Sequence, residues 1–146
     1  MEPVQAKRRN FGVGTSILFL LCFFILPQVA GCDGGTIIKT TMNGQGGRNI
    51  LTGLLLIGII VLVGIALVSF ITLKFGNGSK YSVIALAGAV LSILVSGTGL
   101  KDFNAGGLIS FILLISMSLV SRLPDPFLDW VPLVPSKPPE RQPPSQ

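Results

Sequence analysis

Long apolar runs occupy most of this chain, at residues 11–30, 50–73, 81–100 and 105–120. About 20 predominantly apolar residues are enough for a helix to cross the hydrocarbon of a bilayer. Within lipid, a single segment can satisfy its backbone polar groups only as a helix. The chain is therefore expected to be an all-α polytopic membrane protein, with a signal peptide or signal anchor followed by three transmembrane helices at 50–73, 81–100 and 105–121. Charged residues make up only 12% of the 146 residues, against about 25% in a soluble domain.

That composition removes whole classes of function. There is no histidine, which takes away the commonest general base and the commonest metal ligand. Cys22 and Cys32 are the only two cysteines, one inside and one just after the first run, so neither a disulfide framework nor a zinc site is expected. No paired carboxylates and no phosphate-binding glycine loop are present, and the chain is read as non-enzymatic, without cofactor or metal. No charged residue sits in the middle of a span, which disfavours a carrier or a pump. The net charge of +5 comes from basic residues scattered at span ends, not from a patch interleaved with aromatics, so no nucleic-acid partner is expected.

The first 31 residues have the layout of an export signal. Lys7, Arg8 and Arg9 form a basic head, residues 17–26 an apolar centre, and Pro27 and Gln28 a break. Val29, Ala30, Gly31 and Cys32 resemble a bacterial lipobox, in which Cys32 would be lipidated and become the new N-terminus. Val29 and Gly31 also suit ordinary signal peptidase, and an uncleaved signal anchor is the third alternative. A bacterial origin suits such a signal.

Charge sets the expected orientation. With the N-terminus in the cytoplasm, Lys7, Arg8, Arg9, Lys74, Lys80, Arg122, Lys137 and Arg141 are all cytoplasmic, which is eight of the eleven basic residues. The positive-inside rule chooses this arrangement in the inner (plasma) membrane, with the mature N-terminus outside and the C-terminus inside. Residues 32–49 then form an extracytoplasmic segment rich in Gly, Thr and Asn, expected to be flexible. Gly76, Asn77 and Gly78 are read as a turn that uses positive φ. Phe127 and Trp130 are placed at the bilayer interface, and the Pro-rich cytoplasmic tail, within 122–146, is expected to be extended and solvated.

Small residues mark the span at 81–100 as a packing surface. Gly88, Ser92 and Ser96 lie four apart, with Ala85 and Ala89 beside them, and such faces let helix backbones approach closely in lipid. Intrachain packing is the more common use of this face in a hairpin with so short a loop. The serines of the last span, Ser110, Ser116, Ser118 and Ser121, are expected to bond their own helix carbonyls.

Lys74-Phe75-Gly76, a short basic loop to Lys80, and a small-residue helix through Ala85-Leu86-Ala87-Gly88-Ala89 to Gly97-Thr98-Gly99 carry a resemblance. Over about 50 residues, 47–100, the chain resembles the pilin family of type IV secretion and conjugation systems. That resemblance implies a structural subunit that polymerises as a homo-oligomer with membrane lipids between copies. It also implies that Lys74 and Lys80 contact lipid headgroups, and that Gly88, Ser92 and Ser96 pack between subunits. The span at 105–121 and the Pro-rich tail are departures from the family. The alternative is an accessory or scaffold subunit of another membrane complex, a lipoprotein where Cys32 is lipidated; a holin-type pore former is the third reading.

Overall fold

The computed structural model describes residues 3–26, 34–44, 47–97, 104–124, 127 and 131. Among these residues there is no strand, and the helices are α1 (Pro3–Ile25), α2 (Gly34–Asn43), α3 (Gly47–Ile71), α4 (Phe75–Ser96) and α5 (Ala105–Leu119). A 3-10 turn, Val120–Arg122, continues α5. Four of these helices are long and apolar enough to cross a membrane: α1, α3, α4 and α5 with its 3-10 extension. The 25 residues of α3 span about 37 Å at 1.5 Å per residue, more than the roughly 30 Å of a hydrocarbon core.

The helices bury narrow faces and leave broad apolar ones outside. On α1, Gly12, Ser16, Phe19 and Phe23 recur every three or four residues and are buried. On α5 the buried set is Gly106, Gly107, Ser110, Leu113, Leu114 and Met117. Ile59, Val63, Ala66 and Phe70 do the same on α3, and join Ala85 of α4 in one core. Outside lie Leu18 and Leu21 on α1, Val61 and Val68 on α3, Leu91 and Leu94 on α4, and Leu108 and Ile112 on α5. A continuous apolar exterior around a core containing Ser16, Ser82 and glycines suits a lipid surrounding better than water.

The hairpin between α3 and α4 is tighter than the sequence suggests. Leu73 takes φ 60°, the Lys74 N–H donates to the Ser69 carbonyl at 2.8 Å, and the Leu73 N–H donates to the Phe70 carbonyl at 3.2 Å. These two bonds make a Schellman end with Leu73 in the position usually given to glycine. Helix α4 then starts at once, because the N–H groups of Asn77 and Gly78 both donate to the Lys74 carbonyl at 3.0 Å. The turn expected at Gly76-Asn77-Gly78 is therefore the first turn of α4, without positive φ. The expected span 81–100 becomes Phe75–Ser96, ended by Gly97 at φ 73° with its N–H on the Ile93 carbonyl.

Two further features mark the N-terminal third. Helix α1 starts at Pro3, so the basic head is helical along with the apolar centre. Part of the segment expected to be flexible, 32–49, is helix α2. Packing explains it: Met42 Sδ and Thr41 Oγ1 both lie 2.9 Å from where a Cβ on Gly53 would stand, so α2 is seated closely on α3.

Candidate functional sites at the two ends of the bundle

One end of the bundle gathers the N-terminus of α1, the α3–α4 hairpin and the C-terminal end of α5. Phe70 is its centre. The ring is fully buried, and a Cβ built on Gly12 of α1 would meet its Cγ at 2.7 Å. A Cβ built on Gly78 of α4 would meet the same ring at Cε1 and Cδ1. Both glycines thus permit a close approach, and Phe70 joins three helices.

The same end is tied by hydrogen bonds. The Arg8 guanidinium donates through Nη1 to the Ser121 carbonyl at 3.1 Å and through Nη2 to the Leu123 carbonyl at 2.9 Å. The Ser121 N–H donates to Ser79 Oγ of α4 at 3.1 Å. Carbonyls at a helix end lack intrahelical partners and carry the negative end of the dipole, so a cation placed there satisfies both needs. Lys74 in the hairpin and Lys80 on α4 are exposed at this end. Arg8 had been legible only as one of three charges in a basic head, and its role in holding α5 was not.

The opposite end gathers the C-terminal half of α1, α2, the start of α3, the end of α4 and the start of α5. These elements surround a cavity of about 270 Å³. Phe19 and Phe23, whose stacked rings lie 5.9 Å apart, form part of its wall, and α2 contributes Ile37, Thr40 and Thr41. Ser92 and Ser110 bring hydroxyls from α4 and α5.

The small-residue face of α4 divides between two tasks. Ala85 is wholly buried in the core, and a Cβ on Gly88 would stand 3.4 Å from Ile59 Cγ1 of α3, an ordinary contact distance. Ala89, Ser92 and Ser96 line the cavity instead. On α5, Ser116 Oγ donates to the Ile112 carbonyl at 2.9 Å and Ser118 Oγ to the Ile115 carbonyl at 2.7 Å, as expected for serines in an apolar helix. Val29, Ala30, Gly31 and Cys32 lie outside the described residues, as do Trp130 and the tail 132–146. Among the described residues, no group of three or more Cys, Asp or Glu side chains is placed to hold a metal ion.

The fold and its two ends define an all-helical protein with four helices able to span a membrane. No family model, no curated protein and no solved structure matches the chain.

Proposed function

We propose that this chain is a non-enzymatic, multi-pass inner-membrane protein that serves as an accessory or scaffold subunit of a larger membrane complex, with α1 retained as its first span. The observation that carries this reading is the place of α1 in the bundle. Phe19 is 1% exposed and Phe23 7% exposed within the shared core. Gly12 admits Phe70, and Arg8 binds the end of α5. Removing this helix would open the core along α3 and α5, which supports reading α1 as a structural span.

The proposed orientation follows from charge. Lys7, Arg8, Arg9, Lys74, Lys80 and Arg122 belong to one end of the bundle, and that end is assigned to the cytoplasm. The exposed Lys74 and Lys80 then meet lipid headgroups. The broad apolar faces of α3, α4 and α5 are available to lipid or to partner helices, where shape and small residues drive association.

The pilin reading rests on the α3–α4 hairpin, where Lys74 stands in the connection and Lys80 follows on α4, both exposed. It asks for cleavage near Cys32, which would remove α1 from the core. Intact mass separates the two readings. Recovery of the whole 15.4 kDa chain from inner membrane, together with a co-purifying partner that is lost on truncation after Arg122, is the expected result. A chain beginning at Cys32 in sheared surface filaments would overturn it in favour of the pilin.

A further inference from the structure

We infer that the cavity between α1, α2, α3, α4 and α5 binds a neutral, lipid-soluble molecule with an apolar body and a hydrogen-bond donor at one end: a phenol or an alcohol. The site needs α1 in place, because Phe19 and Phe23 line it, but it does not depend on any partner subunit.

Size comes first. A protein cavity of about 150 Å³ lined by aliphatic and aromatic side chains stays dry and takes up one benzene ring. The space here, about 270 Å³, suits a body nearly twice as large. Charge comes second. None of the described side chains lining the space is ionisable, and among these an anion or a cation would be desolvated without a counter-charge.

Hydrogen-bonding polarity then narrows the class. Ser92 Oγ donates its one proton to the Ala89 carbonyl at 2.8 Å. Thr41 Oγ1 donates to the Ile37 carbonyl at 2.9 Å, with the Ile38 carbonyl 3.0 Å away. A hydroxyl has one proton to give and two lone pairs that accept. With their protons committed to their own helices, Ser92 and Thr41, both among the residues lining the cavity, can offer a ligand only acceptor oxygens. They complement a ligand O–H, and offer nothing to an ether or a carbonyl oxygen. Polar groups fixing one end of a molecule inside an otherwise apolar concavity are the usual design of a small-molecule site. Helix α2 supplies part of the wall through Ile37, Thr40 and Thr41.

The test uses the full-length chain in lipid nanodiscs, its intact mass verified, with 1-naphthol as the probe and 1-methoxynaphthalene as its donor-free twin. Equilibrium dialysis against empty nanodiscs subtracts partitioning into lipid. The expected result is saturable binding of naphthol at one site per chain, with the methyl ether about fivefold weaker, the value of one ordinary hydrogen bond. Ser92→Ala should shrink that difference while leaving the cavity open. Ala89→Phe should fill the space and abolish saturable binding, with helicity by circular dichroism confirming that the variant folds. Should Ala89→Phe fail to fold, the Ser92→Ala comparison decides alone. Absence of saturable uptake overturns the site. Equal affinity for the phenol and its ether overturns the ligand class and makes the cavity a place for any apolar chain. Unchanged binding in a folded Ala89→Phe variant places the probe elsewhere and overturns the assignment.

Discussion

Phe70 should behave as a ring clamped from two sides, and this can be tested quantitatively. Substituting Gly78→Ala puts a methyl group against its Cε1 and Cδ1 edge, and Gly12→Ala puts one at 2.7 Å from Cγ. Carbon atoms sit comfortably at about 3.5–4.0 Å, so the Gly12 methyl is roughly 0.8 Å too close. A side chain pressed from one direction usually moves aside. Here two glycines on different helices lie against the same fully buried ring, so it has little room to yield. Overpacking of this kind costs about 1–3 kcal/mol. Each single alanine variant is expected to lose stability within that range.

A double-mutant cycle isolates the cause. Phe70→Leu shortens the ring side chain and leaves a void, which destabilises by itself. Combined with Gly78→Ala, part of that void receives the new methyl group. The pair should therefore cost less than the sum of the singles by about 1 kcal/mol or more, within the range found for residues in direct contact. Unfolding in mixed micelles, titrated with sodium dodecyl sulfate and followed by circular dichroism, measures all four chains. Additivity to within about 0.5 kcal/mol would refute the clamp. It would mean that Gly78 is small for some reason other than Phe70.

Three further outcomes follow from the same structure. Arg8→Gln removes the charge that holds the Ser121 and Leu123 carbonyls and should cost about 1.5–3 kcal/mol in the same titration, while Arg8→Lys recovers only part because one ammonium nitrogen on a shorter stem replaces the two guanidinium nitrogens that each reach a carbonyl. Leu73→Gly should be neutral to stabilising: it relieves about 1–2 kcal/mol of left-handed strain at φ 60° and gives back somewhat less as unfolded-chain entropy, whereas the β-branched Leu73→Val should destabilise. Gly88→Ala should change stability by under about 0.5 kcal/mol, because its Cβ meets Ile59 at an ordinary 3.4 Å, but Gly88→Leu should separate α3 from α4 and cost about 1–3 kcal/mol.

The spans that were legible are those whose signal is continuous and local. Helix α3 occupies Gly47–Ile71 against an expected 50–73, and α5 with its 3-10 turn occupies 105–122 against 105–121. Uninterrupted aliphatic sequence needs no partner to declare itself. Helix α4 was misplaced by several residues because Gly76, Asn77, Gly78 and Ser79 look like turn residues by composition. In the structure Gly78 and Ser79 are buried at a helix junction, where small size is wanted for packing. Helix α2 was illegible for a different reason. Its Thr and Ile residues are weak helix formers, and it gains its place from contact with Gly53, which is distant in sequence. The small-residue face of α4 was recognised, yet its division between the Ile59 contact and the cavity depends on where α2 and α5 lie. The cavity itself is assembled from five helices and leaves no local trace.

The reading of α1 shows why such long-range facts matter for function. A basic head followed by an apolar centre is the pattern of an export signal, and also that of a first transmembrane helix with its positive end inside. Local sequence cannot separate them, because the targeting machinery and the bilayer respond to the same apolar length and the same charges. What separates them is whether the helix face carries information that only the folded protein uses. On α1 it does. Gly12 is small where Phe70 comes closest, Ser16 is buried and bonds back to the Gly12 carbonyl at 2.7 Å, and Phe19 and Phe23 fill the core on the same stripe. Arg8 sits one turn before Gly12 and reaches two carbonyls of the last span. A leader needs its basic head and its apolar length but no particular helix face, so Gly12, Ser16, Phe19 and Phe23 could then be leucine at little cost. A span that closes a bundle uses each of these residue types in its place, and that correspondence is what supports the proposal that α1 is kept.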